Sequence, residues 1–437
     1  MAAGLEIALA PERLDEGTPE ECACFGLFTI RAGEVELTSG MDFFISAYRP
    51  GPLVSGYHAA EWLAWNWWRL RFEPQSSAPE WWRAHKMTAI GEGYVWPNLT
   101  IFSDGVRTAL LAERSVRPNA KPFRYLGASP CVLPSTQFEA ALDAFIPRIL
   151  GRLRDQGISE TNLDCIWRDV LIERADRDLF KRRKLEALSG KDPDEAEPTV
   201  LERLVADTAL LGEQAVEELA ADHARGGSLL TAESLARVAA ESGFDASPRD
   251  VVAFKPNPEL PRAAEVPAWR LGALAARALR DQERLGSKKI DNHTLAKLAG
   301  VQARALTGRT IGPQISFALD RGPTEGRVVF RSKWETGRRF ELARLLGNRI
   351  ILPIPGCLHP ATRAHTYHQK MQRSFAAELL APFEAVDEML AGDYSMEAQQ
   401  EAAAHFAVSE LTIRTLLVNH HKVEREELEG ELEPVAA

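Results

Sequence analysis

Long apolar runs are missing from this sequence. No stretch of about 18 uninterrupted apolar residues occurs in it, so no membrane-spanning helix is expected. Residues 1–11 also lack the basic segment with which a signal peptide opens. These two absences predict a protein that is neither inserted in a membrane nor secreted, and therefore a cytoplasmic location.

Cysteine is scarce as well. The five cysteines stand at positions 22, 24, 131, 165 and 357, and an odd, scattered set does not form a disulfide framework. Such usage suits a reducing compartment. Cys22 and Cys24 have a spacing that could bind metal or form a redox pair, but the sequence supplies no second pair near them.

A surplus of positive charge is also absent. The formal net charge is −10 at pH 7, which disfavours nonspecific binding of nucleic acid by the chain as a whole. One basic run, Lys-Arg-Arg-Lys, remains at 181–184. It could contact phosphate, or it could be the solvated face of a helix, because Asp176, Asp178 and Glu186 lie beside it in sequence.

The signatures of the common catalytic classes do not occur either. The sequence has no phosphate-binding Gly-x-x-x-x-Gly-Lys-Ser/Thr, no Gly-x-Gly-x-x-Gly and no Gly-x-Ser-x-Gly. It also has no recognisable kinase or nuclease constellation. The sequence therefore offers no reaction from these classes.

What the sequence does contain is an ordinary share of apolar residues, 45%, on a chain of 437 residues that exceeds the usual single-domain range. We predict an α+β, multidomain protein with a small β-rich and Trp-rich N-terminal domain, a helical middle, and a mostly helical C-terminal domain that carries a small sheet. The predicted boundaries are 1–150 for the first domain, 151–250 for the helical region, 251–266 for a proline-rich linker and 267–437 for the last domain.

The first 150 residues combine short strands with tryptophan. Two strands are predicted between residues 25 and 37, and a hairpin at 94–111 around Asp104-Gly105. Seven of the ten tryptophans fall between positions 62 and 96. Apolar spacing predicts a helix at 59–70. The tryptophan rings of this helix cannot all lie on one buried face.

Two interpretations of the tryptophan concentration stay open. The rings could form a core between the helix and the small sheet, or they could form a platform for a partner or ligand, because Trp and Arg are enriched in binding hot spots. The candidate binding surface consists of Trp62, Trp65, Trp68, Arg69, Arg71, Trp81 and Trp82. With His85 and Lys86 nearby, such a platform could also stack on nucleobases.

Helical periodicity dominates the middle of the chain. The predicted helices are 138–156, 162–188, 200–224 and 230–242. Prolines then concentrate in and just after the predicted linker, at positions 256, 258, 261 and 267.

The C-terminal part has an informative order of elements. The predicted succession is helices at 268–282 and 291–299, strands at 314–319 and 327–330, and helices at 334–346, 371–380 and 411–418. Residues 339–348 read Arg-Phe-Glu-Leu-Ala-Arg-Leu-Leu-Gly-Asn, and residues 375–382 read Phe-Ala-Ala-Glu-Leu-Leu-Ala-Pro. The first segment resembles the zinc helix of ImmA/IrrE-type metallopeptidases, Arg-Phe-Thr-Leu-Ala-His-Glu-Leu-Gly-His, and the second resembles the next helix of that family. Together with Val408-Ser409, the resemblance covers about 267–421 and implies a zincin-like fold.

The residues that would carry zinc chemistry are replaced. In a zincin, two histidines four residues apart bind the metal and the glutamate after the first histidine activates a water molecule. Here Arg344, Leu345 and Asn348 occupy these positions, and the family's third, acidic ligand falls in Gln-Lys-Met-Gln at 369–372. An arginine offers only donors and a permanent positive charge, which repels a dication. The degenerate positions are thus Arg344, Leu345, Asn348 and Lys370, and this interpretation predicts no catalytic residue, no metal ligand and no cofactor.

Two alternatives remain for this region. Phe340, Leu342, Leu345 and Leu346 could be the core stripe of an unrelated helix, with Gly347 as a signal for the helix end. Alternatively, Cys357, His359, His365 and His368 could form a displaced zinc site, structural or catalytic, although no glutamate lies among them to act as base. Without metal, these four residues would belong to a loop with exposed histidines.

Three functions are therefore expected as candidates. The first is a catalytically inactive metallopeptidase-like protein, a pseudo-protease whose cleft has been kept for binding. For it the resemblance implies a bacterial stress-response, mobile-element, toxin–antitoxin or phage-defence setting and a protein partner such as a helix-turn-helix regulator. The second is an active zinc metalloendopeptidase that uses the Cys/His set to cleave a repressor. The third is a nucleic-acid-binding adaptor that uses residues 62–86 and the basic run at 181–184.

Overall fold

The computed structural model describes residues 4–78, 80–116, 122–255, 260–308, 313–353 and 355–424. The backbone forms two compact units, Met1–Glu202 and Arg203–Ala437, here called unit 1 and unit 2. The division falls inside the predicted helical region 151–250, so the first helices of that region belong to unit 1 and the later ones to unit 2. Pro256 and Pro258 of the predicted linker lie outside the described residues.

Unit 1 joins small antiparallel sheets to short helices. Its strands are β1 (Leu5–Pro11), β2 (Phe25–Ala32), β3 (Val35–Glu36), β4 (Gly40–Asp42), β5 (Ala47–Arg49), β6 (Leu53–Ser55), β7 (Leu99–Ser103), β8 (Arg107–Ala112), β9 (Phe123–Tyr125) and β10 (Pro130–Pro134). Its helices are α1 (Pro19–Cys24), α2 (Gly56–Trp65), α3 (Trp67–Phe72), α4 (Trp81–His85), α5 (Ser135–Asp155), α6 (Asn162–Ala175) and α7 (Arg177–Leu188). The strands pair in the orders β1-β2-β3 with β6 beside β2, β5-β4-β9, and β10-β8-β7.

The hairpin predicted at 94–111 is confirmed as β7 and β8. Its turn is fixed by Asp104, whose Oδ1 accepts the backbone N–H groups of Val106 and Arg107 at 3.2 and 2.8 Å. Gly105 has a φ of +96°, a conformation that favours glycine. The Asp-Gly pair therefore marks the turn for a physical reason that sequence inspection can detect.

Two helices predicted in unit 1 are each divided into two. The helix predicted at 59–70 breaks at Asn66, whose Nδ2 donates to the carbonyl of Trp62 at 2.9 Å. The helix predicted at 162–188 breaks at Asp176, which caps α7 by accepting the N–H groups of Asp178 and Leu179. Both breaks occur at polar residues that would also suit a solvated helix face, so apolar periodicity does not reveal them.

Tryptophan forms part of the core of unit 1. Trp67 and Trp68 are buried and meet edge to face, with ring centroids 4.8 Å apart. Trp68 also stacks on Phe72, and its indole N–H donates to Glu173 on α6 at 2.7 Å. This bond satisfies the polar group of a buried indole.

Unit 2 contains a larger sheet surrounded by helices. Its helices are α8 (Pro198–Leu211), which begins in the last residues of unit 1, α9 (Glu213–His223), α10 (Ala232–Ser242), α11 (Ala268–Gln282), α12 (Asn292–Leu298), α13 (Arg304–Thr307), α14 (Glu335–Ile350), α15 (Tyr367–Leu380), α16 (Phe383–Leu390), α17 (Met396–Phe406) and α18 (Glu410–Asn419). Its strands are β11 (Phe244–Val251), β12 (Ala299–Val301), β13 (Ser316–Asp320), β14 (Gly326–Val329) and β15 (Leu358–Ala361). They form one antiparallel sheet in the order β12-β11-β14-β13-β15.

Several predictions for unit 2 are confirmed. The strands predicted at 314–319 and 327–330 are β13 and β14, and the helix predicted at 268–282 is α11. Asp291 caps α12, accepting the N–H of Thr294 at 2.7 Å. Strand β11 was not predicted, because its Pro248 and alternating charges do not resemble a buried strand.

The helix predicted at 200–224 is divided at Gly212. This residue has a φ of +104°, and a Cβ added to it would lie 2.4 Å from the carbonyl oxygen of Pro355. Both the backbone conformation and the space require glycine here.

Glycines bring three helices of unit 2 close together. A Cβ on Gly272 of α11 would lie 2.3 Å from the carbonyl oxygen of Met371 on α15, and one on Gly347 of α14 would lie 2.6 Å from Phe375 Cδ1. Gly347 lies within α14, which continues to Ile350. The interpretation of Gly347 as a helix-end signal is therefore wrong, and this glycine instead permits close helix packing.

The prediction of an α+β, multidomain protein is confirmed. Among the helices of the described residues, none is long and apolar enough to cross a membrane.

Candidate functional site

The candidate site lies where α14 and α15 pack side by side, with β15 and the loop 362–366 between them in sequence. Arg344, Leu345 and Asn348 come from α14, and their side chains are 8%, 2% and 0% exposed. Lys370, on α15, is half-buried. The expectation of a retained open cleft at these positions is wrong for the three α14 residues, because they fill the space between the helices.

Arg344 ties α14 to α15. Its Nη2 donates to the carbonyl oxygen of Thr362 at 2.7 Å and to Gln369 Oε1 at 2.6 Å. The same amide oxygen accepts the backbone N–H of Thr362 at 2.9 Å. Burial, and then the nearby Arg373 guanidinium, lower the pKa of Arg344 to about 9. The arginine therefore remains a cation at neutral pH although its two hydrogen-bond acceptors are neutral oxygens.

Asn348 belongs to a directed chain of hydrogen bonds. Gln214 Nε2 lies 3.1 Å from His368 Nδ1, and His368 Nε2 lies 3.0 Å from Asn348 Oδ1. Asn348 Nδ2 in turn lies 3.5 Å from the carbonyl oxygen of Pro360. The amide groups assign the tautomer: His368 donates through Nε2 and accepts through Nδ1. This requires a neutral ring, in agreement with burial, which lowers the pKa of His368 to about 4.

The carbonyl oxygen of Pro360 accepts hydrogen bonds from three side-chain amides. Besides Asn348, it accepts from Gln369 Nε2 at 3.2 Å and from Gln372 Nε2 at 3.3 Å. Strand β15 is thereby held against both helices. Around this site, three of the buried polar atoms that lack a hydrogen-bond partner among the described residues are Arg344 Nε, Gln372 Oε1 and His359 Nδ1.

A buried carboxyl group on α9 completes the cluster. Both oxygens of Glu218 accept from Thr366 Oγ1, at 2.9 and 2.8 Å. Burial raises the pKa of Glu218 to about 7, against the lowering effect of Thr366. Arg373, on α15, donates to the carbonyl oxygen of Ala364 at 2.7 Å, and desolvation lowers its pKa to about 10. Removing these charges from water is costly, and each pKa moves toward the neutral form.

The four residues of the alternative zinc site have other partners. Cys357 Sγ donates to the carbonyl oxygen of Leu210 at 3.0 Å, and His359 Nε2 lies 3.2 Å from Asp320 Oδ2. His368 belongs to the chain described above. His365 lies near Arg373, Arg225 and Lys370, and desolvation followed by these charges lowers its pKa to about 3. In the described part of the chain, no group of three or more His, Cys, Asp or Glu residues has the arrangement of a metal site.

The candidate binding surface of unit 1 is smaller than predicted. Trp68, Arg69 and Trp81 are buried, so they cannot meet a partner at the surface of the folded unit. Trp65 is 54% exposed and Trp82 is 46% exposed, whereas Trp62 and Arg71 are half-buried.

The buried part of that set forms its own polar network. Arg69 Nε donates to Glu73 Oε2 at 2.7 Å, and the same oxygen lies 2.9 Å from His85 Nε2. His85 Nδ1 lies 2.7 Å from the carbonyl oxygen of Ile101, and its ring stacks on Trp81 with centroids 4.2 Å apart. Arg69 and His85 therefore stabilise the interior and are not available to stack on nucleobases.

The basic run at 181–184 lies on α7. Burial lowers the pKa of Arg183, but its pairing with Glu173, Glu186 and Asp194 outweighs this effect and raises the pKa overall. Lys184 lies over the ring of Phe72, 5.4 Å from its centroid. The charge of this run is therefore partly neutralised by ion pairs, and Lys184 packs on an aromatic ring of the same unit.

Cys22 and Cys24 are free thiols. Burial raises the pKa of Cys24 to about 11, so this residue stays protonated at neutral pH.

A wide groove lies beside α6 in unit 1. Its volume is about 910 Å³, and its lining includes Leu150, Trp167, Leu171 and Ile172. Leu171 and Ile172 are exposed. Adjacent exposed apolar side chains of this kind are typical of contact surfaces.

Sequence reasoning missed Glu218, Gln214 and Arg373. A signal for Glu218 exists, because it lies among the buried residues Val216 and Leu219 of α9. A carboxylate on the apolar face of a helix is rarely buried without a specific partner.

A scan against protein-family models, a search of curated proteins and a search of solved structures each found no match to this chain.

Proposed function

We propose that this chain is a non-catalytic binding or regulatory protein whose second unit is a degenerate, zincin-like relative of the ImmA/IrrE-type metallopeptidases. One observation carries the proposal. The α14 positions that would hold the two zinc-binding histidines are occupied by Arg344 and Asn348, and both are hydrogen-bonded to α15, Arg344 to Gln369 and Asn348 to His368. A hydrogen-bonded cluster thus stands where the resemblance places a metal.

The chemistry of this cluster opposes zinc hydrolysis. Arg344 is a buried cation without an acceptor atom, so it repels a dication and cannot ligate it. Leu345 has no group that could take a proton from water, which is the task of the glutamate in a zincin. Gln369 and Gln372 offer neutral amide oxygens, which are weaker ligands for zinc than a carboxylate.

The active-peptidase alternative gains no support from the geometry. It would take its metal ligands from Cys357, His359, His365 or His368, whereas Cys357, His359 and His368 each bond to a different neighbour. The nucleic-acid-binding alternative is weakened because Arg69 and His85 are buried in the interior. Part of the basic run is also engaged in ion pairs.

For the binding activity, we assign a protein partner. The exposed rings of Trp65 and Trp82 and the apolar groove beside α6 are suitable contact surfaces. The resemblance suggests a bacterial regulatory or phage-defence setting and a helix-turn-helix regulator as partner.

Metal content and proteolysis test this proposal together. The intact protein, purified from zinc-supplemented cells without chelator, is analysed for metals by mass spectrometry and incubated with unfolded casein. We expect substoichiometric zinc and no cleavage, with or without added zinc. One zinc per chain together with chelator-sensitive cleavage would establish the peptidase alternative instead.

A further inference from the structure

Exposed apolar side chains concentrate on the small sheet of β5, β4 and β9 in unit 1. Phe44 is 85% exposed and Ile45 is 53% exposed in the turn between β4 and β5, and Tyr48 on β5 is 60% exposed. Val116, which is 92% exposed, is the fourth member of the set. Phe44 and Val116 are the two most exposed large apolar residues of the described part of the chain. We call these four residues the apolar sheet surface.

The strand register places Tyr48 on the outer face of this sheet. Met41 on β4 is the partner of Tyr48 on β5 and of Arg124 on β9. The side chains of directly opposite residues lie on the same face of an antiparallel sheet, about 5 Å apart. Phe123 and Tyr125, on the other face, are buried. The solvent side of the sheet is therefore the row of Tyr48, Met41 and Arg124.

Val116 lies beside the opposite edge of the sheet. The backbone N–H of Ser115 donates to the carbonyl oxygen of Tyr125 at 3.1 Å. The backbone N–H of Tyr125 donates in turn to Ser115 Oγ at 3.0 Å. These two bonds hold Val116 next to β9, whereas Tyr48 lies on β5 at the other edge. The apolar sheet surface therefore spans the width of the sheet.

The turn that carries Phe44 and Ile45 is held by specific contacts. Asp42 Oδ1 accepts the backbone N–H of Phe44 at 2.9 Å. The backbone N–H of Phe43 donates to the carbonyl oxygen of Pro122 at 2.9 Å. Binding through a segment that is already ordered costs less conformational entropy than binding through a mobile one.

Charge around this surface is balanced. Asp42 and Arg49 lie on the inner face and pair with each other at 3.4 Å. Arg124 shares the outer row but already interacts within the chain. Glu113 and Arg114, which precede Val116, carry opposite charges. A protein with a net charge of −10 and no cationic surplus at this place is poorly suited to an anionic membrane. The surface suits an apolar protein surface of low net charge, such as its own copy.

The area agrees with a contact between two copies. Phe44 and Tyr48 together expose about 300 Å² of side chain, because an aromatic side chain has an area of about 150 to 250 Å². With Ile45 and Val116 the surface reaches about 500 Å², which is at the upper end of what monomeric proteins expose in one patch. Two such surfaces packed face to face bury about 1,000 Å², the lower limit of a specific interface.

We propose that the apolar sheet surface forms the contact of a two-fold symmetric dimer, in which it packs on the same surface of a second copy. A two-fold contact is closed, so it covers both surfaces and leaves none for a third copy. Because the area is small, we expect a dissociation constant on the order of 10 μM. The proposal uses neither Trp65, Trp82 nor the groove beside α6, so it is independent of the proposed function.

Sedimentation equilibrium of the intact protein from about 1 μM to about 200 μM tests the dimer. We expect a reversible equilibrium between monomer and dimer. Salt screens charges but not apolar contacts, so raising its concentration from about 0.05 M to about 0.5 M should not weaken the dimer. Hydrogen exchange of amides in residues 40–49 should slow as the protein concentration rises.

A matched pair of substitutions locates the contact. Ile45→Ser and Ile172→Ser change the same residue type at nearly the same exposure, 53% and 54%, on the sheet and in the groove beside α6. Ile45→Ser should weaken the dimer, and Ile172→Ser should leave it unchanged. Phe44→Ser should weaken it at least about tenfold, because a two-fold contact carries the substitution on both sides. Circular dichroism checks that each variant is folded.

Three results would overturn the proposal. The first is a protein that stays monomeric at about 200 μM. The second is a dimer that Ile172→Ser weakens as much as Ile45→Ser does, which would place the contact in the groove. The third is a monomer that binds phosphatidylcholine vesicles and loses this binding in Phe44→Ser, which would make the surface a lipid contact.

Discussion

Glu218 controls a pH dependence that can be isolated by one substitution. This carboxyl group is buried on α9, and both of its oxygens accept from the Thr366 hydroxyl. Burial raises its pKa from 4.5 to about 7. The folded protein therefore holds this proton more tightly than the unfolded chain does. The resulting stability is fully present below pH 4.5 and is lost as the pH rises through about 7. Between pH 5 and pH 8 the loss is about 2 to 3 kcal/mol.

His368 acts in the opposite direction in the same unit. Its pKa is lowered from 6.5 to about 4, so its contribution is present above pH 6.5 and lost as the pH falls through about 4. The two effects oppose each other in the intact protein. Glu218→Gln keeps the size and the acceptor oxygen but removes the titrating proton. We therefore expect the variant to become more stable relative to the unsubstituted protein as the pH rises.

Hydrogen exchange of amides in α9 and α15 measures this effect without interference from unit 1. The opening free energies of these peptides, corrected for intrinsic exchange rates, are compared for the two proteins from pH 5 to pH 8. The difference should grow by about 2 to 3 kcal/mol across this range. Glu213→Gln, on the exposed side of the same helix, is the control and should follow the unsubstituted protein. A parallel pH dependence for Glu218→Gln would refute the assignment of a raised pKa to this group.

Three further substitutions test other parts of the structure. Trp68→Ala should lower the free energy of unfolding by about 3 to 5 kcal/mol because it empties a buried site. Trp65→Ala, at an exposed ring, should change this free energy by no more than about 0.5 kcal/mol. Chemical denaturation of unit 1 distinguishes the two variants, and equal effects would contradict the burial described. Gly212→Ala should lower the free energy of unfolding by about 2 kcal/mol more than Gly226→Ala does. Both glycines have positive φ, but only a Cβ at 212 meets a carbonyl oxygen. Thermal unfolding measures the difference, and equal melting temperatures would contradict the close contact with Pro355. Asn348→Ala leaves His368 Nε2–H without its acceptor and should lower the local stability of α15 by about 2 kcal/mol. Hydrogen exchange of the α15 amides measures this change. Unchanged exchange rates would show that the hydrogen bond does not stabilise α15.

Local sequence signals predicted much of the secondary structure. Asp104-Gly105 marked a hairpin turn, and Asp291 marked a helix start, because the short side chains of the two aspartates accept hydrogen bonds from nearby backbone N–H groups. Long helices were predicted too long where Asn66, Asp176 and Gly212 interrupt them. Those breaks depend on caps and on contacts distant in sequence, such as the approach of Pro355 to Gly212.

The candidate site was predicted in part. The motif positions on α14 indicated Arg344 and Asn348, and the resemblance indicated the 369–372 segment opposite them. The sequence did not reveal that these side chains are buried and bonded to each other across α14 and α15. It also did not reveal the partners of Glu218 and Arg373, because these contacts form only when α9 and α15 meet around the loop 362–366.

We propose that a hydrogen-bonded cluster occupies the positions that the metallopeptidase resemblance would assign to zinc ligands. The most direct test is to introduce zinc ligands in the triple variant Arg344→His, Asn348→His and Gln369→Glu. Gln369 is changed instead of Lys370 because its Oε1 lies 2.6 Å from Arg344 Nη2. Zinc binding is measured by calorimetry beside the unsubstituted protein. Circular dichroism confirms that both proteins are folded. The account predicts one zinc bound by the variant and none by the unsubstituted protein. A folded variant that binds no zinc, or stoichiometric zinc in the unsubstituted protein, would contradict it.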